Sequence, residues 1–288
     1  MIFTGLFHSS QNRLEGEQKG SGDGRHARAR IAQVADKGSF EEIFADLEAR
    51  DILSFQGYPE KIKQARQKSG EKDAVVCGRA KIGGVETMIF AMEPAFMMGS
   101  MGTVVGRKII ACFDEAIARR LPVVGFVVSG GARMQEGIFS LLQMAGTSDA
   151  VRRHSEAGLL YIAVLQNPTM GGVEASFAME ADIILSEPGA RIGFAGPRVI
   201  EQTYHRKLPE GLQRAETVLQ SGFIDRIVPE NLWKREIGRI LKIHATGSAS
   251  AANADSAETE PGGKKTAGSA IFSANQTDAS ITIGGQNA

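Results

Sequence analysis

Short apolar runs alternate with stretches of helical period in the middle of the chain, and this alternation limits the folds that the chain can adopt. The runs VVGFVVS, LLYIAVLQ and ADIILSE have the composition of buried strands, and residues 102–120, 135–153 and 173–180 have helical spacing of apolar residues. Strands that alternate with helices of this length are typical of crossover units. The pattern therefore predicts an α/β fold.

The segment before this alternation contains a predicted hairpin and three predicted helices. DAVVCGRAKIGGVETMIFAME alternates apolar and polar residues around Gly83 and Gly84, which is typical of a β-hairpin. HARARIAQVAD, SFEEIFADLEARD and YPEKIKQARQKSG are predicted to be helices. Ser39 and Glu42 have the spacing of a capping box in the second, and Gly70 ends the third. The sequence after residue 197 is predicted to be mainly helical.

The two ends of the chain differ in composition from the middle. Residues 246–288 are mostly Gly, Ala, Ser, Thr and Asn, which offer too little apolar surface to offset the entropy of ordering them. The stretch EGEQKGSGDGRH near the start is similar. We therefore predict a folded body at residues 26–245 between a disordered segment at 1–25 and a disordered tail at 246–288.

Charge and cysteine content exclude several classes of partner. The 33 basic residues balance the 33 acidic ones, so no net field attracts the chain to nucleic acid or to an anionic membrane. Cys77 and Cys112 form no C-x-x-C motif and no disulfide framework, which favours a reducing compartment. No apolar run approaches the ~18 residues of a membrane span, and the start lacks the pattern of a signal peptide. We expect a cytoplasmic protein.

Common catalytic motifs are missing from the sequence. No G-x-G-x-x-G follows a strand, and neither a P-loop, an H-E-x-x-H nor a G-x-S-x-G motif occurs. The five histidines are scattered without the spacing of metal ligands. Dinucleotide binding, P-loop chemistry, zinc proteolysis and nucleophile-elbow hydrolysis therefore have no support from motifs.

Two glycine loops that follow consecutive strands are the remaining candidate site. The loop in VVSGGARMQEG contains Gly130, Gly131 and Ala132, and the loop in NPTMGGVEASFA contains Gly171 and Gly172. Two neighbouring loops of this kind can direct backbone N–H groups to one point at the carboxyl edge of a sheet. Such an arrangement is an oxyanion hole, where glycine permits close approach.

Each of these features also has an ordinary structural explanation. A glycine pair between a strand and a helix is often only a tight turn or a close contact between helix and sheet. Arg133 is interpreted either as an anchor of its loop, paired with Glu136 or Glu174, or as a solvated surface side chain. The methionines of FMMGSMG are interpreted as adaptable packing.

Four motifs resemble one family. SGGARMQEG, NPTMGGVEASFAM, IGFAGPRVIEQT and EPAFMMGSMGTVVG resemble, in the same order, the β subunits of bacterial acetyl-CoA carboxylase carboxyltransferases, and the likeness covers roughly residues 27–245. The resemblance implies a crotonase-like (ClpP/crotonase) fold of repeated ββα units in a CoA carboxyltransferase N-terminal-type domain. It also implies a separate α subunit in an α2β2 assembly, and transfer of carboxyl from biotin on a biotin carboxyl carrier protein to acetyl-CoA, giving malonyl-CoA for fatty acid synthesis.

The resemblance also implies roles for individual residues. Deprotonation of the acetyl methyl group creates an enolate, whose oxygen Gly171 and Gly172 would hold as catalytic residues. The acyl-CoA pocket would be lined by backbone of small residues: Gly130, Gly131, Ala132, Gly193, Ala195 and Gly196. Basic side chains that could contact CoA phosphates, although surface solvation is an alternative for each, are Arg198, Arg206, Lys207 and Arg214.

Two departures from the family pattern are visible. Members commonly carry an N-terminal zinc ribbon with two C-x-x-C pairs, whereas the segment before residue 26 contains no cysteine, so no zinc site is predicted. Glu174 occupies a position where the family has serine or another small residue. Because a carboxylate in the pocket would oppose an enolate, we expect Glu174 to point away, toward Arg133.

Three other functions remain open from the sequence. A malonate decarboxylase-type subunit, or another subunit that forms an acyl-CoA enolate, would use the same fold and the same loops. A non-catalytic assembly subunit would need neither loop for chemistry. A serine protease of the related fold would combine Ser176 with His154 or His205, which no spacing connects.

Overall fold

One mixed sheet organises the residues that the computed structural model describes, which are 26–205, 209 and 211–257. The strand order is β1-β2-β3-β4-β5-β6-β8, and β7 pairs with β5. The hairpin strands and β1 are antiparallel, whereas all pairings from β3 onward are parallel. The strands are β1 (Glu41–Ile43), β2 (Val75–Ile82), β3 (Val85–Met92), β4 (Val123–Ser129), β5 (Tyr161–Met170), β6 (Ile183–Ser186), β7 (Ile192–Gly193) and β8 (Arg226–Ile227).

The helices connect the parallel strands and cover both faces of the sheet. They are α1 (Ala27–Val34), α2 (Tyr58–Ser69), α3 (Thr103–Arg119), α4 (Gly137–Glu156), α5 (Gly171–Val173), α6 (Pro197–Tyr204), α7 (Ala215–Gln220) and α8 (Trp233–Ala257). A π-helical turn, Glu174–Ala178, directly follows α5. Short 3-10 turns occupy Met97–Gly99, Met134–Glu136 and Glu230–Leu232. The predicted α/β architecture is confirmed.

The hairpin forms where the sequence predicts it. Ile82 and Val85 are paired, and the two residues between them, Gly83 and Gly84, have φ angles of 60° and 87°. Two consecutive positive φ values are the requirement of a two-residue type I′ turn, and glycine adopts them without steric cost. The carboxylate of Asp36 accepts hydrogen bonds from both glycine N–H groups and holds the turn.

The core lies on both faces of the sheet. Val123 and Val127 of β4 pack into one cluster with residues of α3 and α4, and Val124 and Phe126 pack into the other with residues of α1 and α8. A parallel strand covered by helices on both faces is apolar throughout, which is why VVGFVVS shows no alternation. Gly125 leaves room for Phe90, whose ring Cζ would lie 2.3 Å from a Cβ built there.

One segment that was predicted to be a helix contains a strand in the structure. SFEEIFADLEARD was predicted to be a helix, but Glu41–Ile43 is the edge strand β1, paired with β2. Ser39 does not cap a helix; its hydroxyl accepts from the Lys81 N–H and donates to the Asp36 carbonyl. The open edge of β2 therefore outweighs the helical spacing, because it offers backbone partners that the sequence does not reveal.

The last helix also extends beyond the predicted end of the folded body at residue 245. α8 continues to Ala257, and the chain divides into two units between Ser248 and Ala249. Alanine has the highest helix propensity, and a helix that is already formed continues by local hydrogen bonds alone. The predicted disorder of residues 1–25 and of the remainder of the tail from 258 concerns residues outside the described ranges.

Within the part of the chain that is described, no helix combines the length and the hydropathy that crossing a bilayer requires.

Candidate active site

The two glycine loops meet at the carboxyl edge of the sheet. β4 and β5 are adjacent and parallel, so the loops that follow them leave from the same edge. Gly131 has a φ of 112° and Gly171 a φ of 63°, and a Cβ built on Gly171 would lie 3.2 Å from the Cα of Gly131. Both positions therefore require glycine for the backbone conformation, and Gly171 requires it also for the close approach.

In the first loop, two of the three amides that the sequence suggested are already hydrogen-bonded within the protein. The Gly130 N–H donates to the Met98 carbonyl at 3.0 Å, and the Gly131 N–H donates to the Ser129 hydroxyl at 3.0 Å. These bonds set the shape of the loop. Gly130 and Gly131 can therefore line the site but do not offer free N–H groups to it.

The third amide of this loop, that of Ala132, is directed differently. The Met101 N–H donates to the Gly131 carbonyl and the Arg133 N–H donates to the Met101 carbonyl, both at 2.9 Å. Because the backbone of Ala132 lies between these two bonds in an extended bridge, its own N–H points away from Met101. None of the hydrogen bonds found among residues 26–205, 209 and 211–257 uses the Ala132 N–H.

In the second loop, the N–H of Gly172 is the available donor. The Thr169 N–H donates to the Arg191 carbonyl at 2.8 Å, and Met170 is in register with Gly193, so the Gly171 N–H is directed toward β7. No acceptor for the Gly172 N–H is found within the described ranges. Its nitrogen lies 3.7 Å from a Cβ built on Gly131, which places it at the contact between the loops.

The π-helical turn fixes the backbone behind Gly172. Ser176, which is 1% exposed, donates its hydroxyl to the Gly172 carbonyl at 2.7 Å. His154 packs edge-on against Phe113 and bonds through Nε2 to the Leu121 carbonyl. The hydroxyl of Ser176 and the ring of His154 thus have separate backbone partners, and no hydrogen bond joins these two residues of the serine protease hypothesis.

Arg133 anchors the first loop from inside the protein. Its guanidinium donates to Asp73 at 2.6 Å and to Glu136 at 3.2 Å, and the three side chains are at most 1% exposed. The prediction of a pairing with Glu136 is confirmed, and the pairing with Glu174 is wrong. Glu174 is half-buried, and burial raises the pKa of its carboxyl.

Several neighbours satisfy this buried cluster. The Tyr58 hydroxyl donates to Glu136 Oε1 at 2.6 Å, and the Thr103 N–H donates to Glu136 Oε2 at 2.6 Å. Burial acts to raise the pKa of Glu136, but these two hydrogen bonds and Arg133 lower it below its ordinary value. Burial acts to lower the pKa of Arg133, but Asp73, Tyr58 and Glu136 together raise it above its ordinary value. The cluster therefore contains one guanidinium and two carboxylates, and hydrogen bonds from the Tyr58 hydroxyl and from the N–H groups of Ala74 and Thr103 also stabilise the carboxylates.

The residues predicted to form the adjacent wall lie beside the second loop. Gly193 is in register with Met170, and the carbonyl of Phe194 lies 3.8 Å from a Cβ built on Gly171. Gln213 holds this wall by donating its side-chain amide to the Ala195 carbonyl at 2.6 Å. Gly196 is the N-cap of α6. Sequence reasoning did not identify Gln213, because nothing in its neighbourhood marks it as a contact to a strand.

Of the four basic residues, Arg214 is the one whose side chain the structure describes. Arg214 donates to the Gly189 carbonyl at 2.7 Å. Arg198 lies in α6, where only its backbone is described, and Arg206 and Lys207 fall outside the described ranges. Within those ranges no group of three or more His, Cys, Asp or Glu residues has the arrangement of a metal site.

Residues 24–239 match the model of the carboxyl transferase domain family. The chain is 58% identical over 218 residues to the acetyl-coenzyme A carboxylase carboxyl transferase subunit beta of Ruminiclostridium cellulolyticum, covering 76% of each protein. It is 56% identical over 221 residues to the protein with the same description from Alkaliphilus oremlandii, covering 77% of this chain and 80% of that protein.

Solved structures with the same fold include a transcarboxylase and a malonate decarboxylase. The transcarboxylase 12S structure with hydrolyzed methylmalonyl-coenzyme A superimposes with a TM-score of 0.67 at 27% identity, over 75% of this chain and 40% of that one. A Pseudomonas malonate decarboxylase hetero-dimer superimposes with a TM-score of 0.61 at 25% identity, over 75% of this chain and 86% of that one. This chain therefore spans less than half the length of the transcarboxylase chain.

Proposed function

The chain belongs to the carboxyl transferase domain family, with a crotonase-like fold, and from this we propose that it is the β subunit of an acetyl-CoA carboxylase carboxyltransferase. The observation that carries the chemistry is the pair of N–H groups, those of Ala132 and Gly172, at the place where the two glycine loops touch. Two such donors are what an enolate oxygen requires. The relatives supply the choice of acetyl-CoA as the substrate.

The two amides would hold the thioester oxygen of acetyl-CoA. Removal of a methyl proton moves negative charge onto that oxygen, so a fixed donor stabilises the enolate more than the neutral thioester. Loss of one donor of this kind typically lowers the rate by ~10²–10³. Gly171, Gly130 and Gly131 would shape the pocket, because side chains at the contact between the loops would keep the thioester away.

The walls of the acyl-CoA pocket would come from the loop after β7. Gly193 pairs with Met170, directly before Gly171, and Ala195 and Gly196 follow in the loop that Gln213 holds through the Ala195 carbonyl. Arg198, Arg206, Lys207 and Arg214 are the proposed contacts for the CoA phosphates. Removing the positive charge of one of them should raise the KM for acetyl-CoA with little change in kcat, because the phosphates do not react.

Biotin on a carrier protein would supply the carboxyl group and, after its transfer, a basic ureido nitrogen. The two available amides suffice for one oxygen, so donors for the biotin carbonyl would have to come from an α subunit. An exposed apolar surface beside the site supports such a partner. Met134, Ile138, Leu141 and Leu142 on the first turns of α4 and the turn before it are each 50–60% exposed.

Exposed apolar side chains of this kind are more stable when a permanent protein partner covers them than when they contact water. Ile138, Leu141 and Leu142 recur at spacings of three and four, so they form a stripe on one face of α4, and Met134 lies in the turn before it. The stripe begins directly after Arg133, next to the first glycine loop. We propose that an α subunit binds here in an α2β2 assembly with access for the biotin carboxyl carrier protein, in the cytoplasm.

A second candidate function is that of a malonate decarboxylase-type subunit. The similarity to the malonate decarboxylase hetero-dimer favours it, and the same pair of amides would hold the enolate that decarboxylation produces. The two functions differ in their need for biotin. Decarboxylation of malonyl-CoA requires no carboxyl acceptor, whereas malonyl-CoA synthesis requires the carboxylated carrier.

The decisive experiment is reconstitution. The chain is co-expressed with a family α subunit, purified as a complex and supplied with carboxylated biotin carrier and acetyl-CoA. We expect malonyl-CoA to form only when both subunits and the carrier are present. Biotin-independent loss of CO₂ from malonyl-CoA, without synthesis from acetyl-CoA, would instead establish the second function. A complex that forms but has neither activity would indicate a non-catalytic assembly subunit.

A further inference from the structure

A buried ionic cluster connects the first glycine loop to the segment that precedes α3. Arg133 follows Ala132 directly in the chain, and its guanidinium donates to the Ser100 carbonyl at 2.8 Å as well as to Asp73 and Glu136. Glu136 in turn accepts from the Thr103 N–H. The cluster therefore connects two backbone segments that are about thirty residues apart in sequence. The same segments are joined by hydrogen bonds from the Gly130 and Arg133 N–H groups to the carbonyls of Met98 and Met101, and from the Met101 N–H to the Gly131 carbonyl.

The cost of burying this cluster indicates that its geometry matters. Buried ion pairs contribute little net stability compared with apolar residues of the same volume, because both charges lose their hydration. Here every charged partner is nevertheless removed from water, and Tyr58 occupies a hydrogen-bonding position between Arg133 and Glu136. The Arg133 guanidinium also lies over the Phe96 ring, 5.3 Å from its centroid. Such a cluster fixes one backbone arrangement more precisely than apolar packing does.

The cluster acts on the one amide of the first loop that remains available. The backbone N–H of Arg133 and the carbonyl of Gly131 both bond to Met101, so the direction of the Ala132 N–H depends on how firmly Arg133 is held. We propose that Arg133, supported by Asp73, Glu136 and Tyr58, is a positioning residue that orients the Ala132 N–H toward the enolate oxygen. This inference rests on the proposed function of the Ala132 and Gly172 amides.

A positioning role differs from a purely structural one in its kinetic signature. A donor that is turned away from its oxygen loses stabilisation of the transition state, where the charge is largest, and loses little binding of the neutral thioester. Arg133→Lys keeps the charge but not the planar fork, and Tyr58→Phe removes a single hydroxyl of the cluster. Both variants retain the volume of the side chain better than a truncation, which would leave Asp73 and Glu136 uncompensated.

The matched control is Arg30, the other fully buried arginine, on the opposite face of the sheet. Its guanidinium lies over the Trp233 ring, 4.8 Å from the centroid, and pairs with Glu230. Arg30→Lys should therefore lower stability in a similar way without affecting the first glycine loop, to which Ala132 belongs. The thermal midpoint of each variant is measured first, and rates are compared per folded molecule at a temperature where all variants are folded.

In the reconstituted carboxyltransferase, we expect Arg133→Lys to lower kcat on the order of 10²-fold with the KM for acetyl-CoA unchanged. Tyr58→Phe should lower kcat less, also without a change in KM, and Arg30→Lys should leave both constants at the wild-type values. Wild-type kcat in Arg133→Lys, together with a lowered thermal midpoint, would overturn the positioning role while leaving the proposed function intact.

A readout that needs no activity separates this inference from the proposed function. The ¹⁵N–¹H residual dipolar coupling of the Ala132 amide reports the orientation of that N–H bond. We expect it to change in Arg133→Lys and Tyr58→Phe and to stay constant in Arg30→Lys. An unchanged Ala132 coupling in both cluster variants would contradict the inference even if wild-type protein proved inactive as a carboxyltransferase.

Discussion

The Cα of Gly131 lies 3.2 Å from the position of a Cβ built on Gly171, so two loops that are forty residues apart in sequence touch through bare backbone. This contact brings the backbone of the two loops together at one edge of the sheet, where Ala132 directly follows Gly131 and Gly172 directly follows Gly171. The geometry depends on glycine at both positions, because each has a positive φ. Gly131 and Gly171 thus shape the site, whereas Ala132 and Gly172 are its proposed hydrogen-bond donors.

The donor role of Gly172 is tested by removing its N–H. Gly172→Pro deletes the donor at the start of α5, where proline is compatible with the helix. We expect kcat for malonyl-CoA formation to fall by ~10²–10³ relative to Gly172→Ala, measured in the reconstituted complex. The alanine variant is the matched control, because its Cβ meets only the flexible Met144 side chain, 2.8 Å from the sulfur. Equal rates in the two variants would exclude the amide as a donor.

The need for glycine at position 171 is tested by measuring the stability of a variant. Gly171→Ala forces an L side chain into a φ of 63° against the Gly131 backbone, which should lower the free energy of unfolding by about 1–3 kcal/mol. Urea unfolding measures this change. Gly130→Ala is the control in the neighbouring loop, because its nearest contact is an ordinary 3.5 Å to Met98, and it should cost no more than about 0.5 kcal/mol. Comparable losses would refute the steric explanation.

The apolar stripe on α4 is tested by charge. Leu141→Asp should raise the Kd for the α subunit by about tenfold or more, because an aspartate at the centre of an apolar interface loses its hydration. Titration of labelled β subunit with α subunit gives the Kd. Phe223→Asp is the control, since Phe223 is 65% exposed and precedes β8, the edge strand at the end of the sheet away from β1. Unimpaired binding by Leu141→Asp would place the partner elsewhere.

The buried His154 predicts a pH dependence of stability. Burial lowers its pKa, although the hydrogen bond to the Leu121 carbonyl acts in the opposite direction. The unfolded chain therefore takes up a proton near the ordinary histidine pKa of about 6.5, at which the folded protein keeps the ring neutral. The unfolded state binds more protons below that pH, so the stability from this group is complete above about pH 6.5 and is lost as the pH falls.

The variant His154→Gln should remove this contribution. Between about pH 7.5 and pH 5.5, a range centred on the ordinary histidine pKa, its free energy of unfolding should fall less steeply than that of the wild type. Urea unfolding at several pH values in this range measures the difference. His205→Gln provides the comparison, because His205 is exposed. Parallel pH profiles for wild type and His154→Gln would show that the ring is not held neutral.

The edge strand β1 shows where sequence patterns fail. Residues 39–51 have helical spacing and a capping-box pair, yet Glu41–Ile43 pairs with Arg79, Gly78 and Cys77 of β2. The spacing of a short segment records only local preference, and an unpaired strand edge nearby supplies hydrogen bonds that local preference cannot match. The same limit applies to Arg133. Its partner Glu136, three residues away, was predicted from the sequence, whereas Asp73, which is distant in the chain, was not.

The sequence by itself determined the α/β architecture, the glycine hairpin and the two loops that follow β4 and β5, because hydrophobic periodicity and glycine pairs are local properties of the chain. Only the tertiary structure decided which amides of those loops are available. Gly130 and Gly131 donate to Met98 and Ser129, whereas no such acceptor is found for the N–H of Ala132 or Gly172 among the residues that the structure describes. Backbone hydrogen bonds between distant segments determine that choice, and every residue carries the same N–H group whatever its side chain.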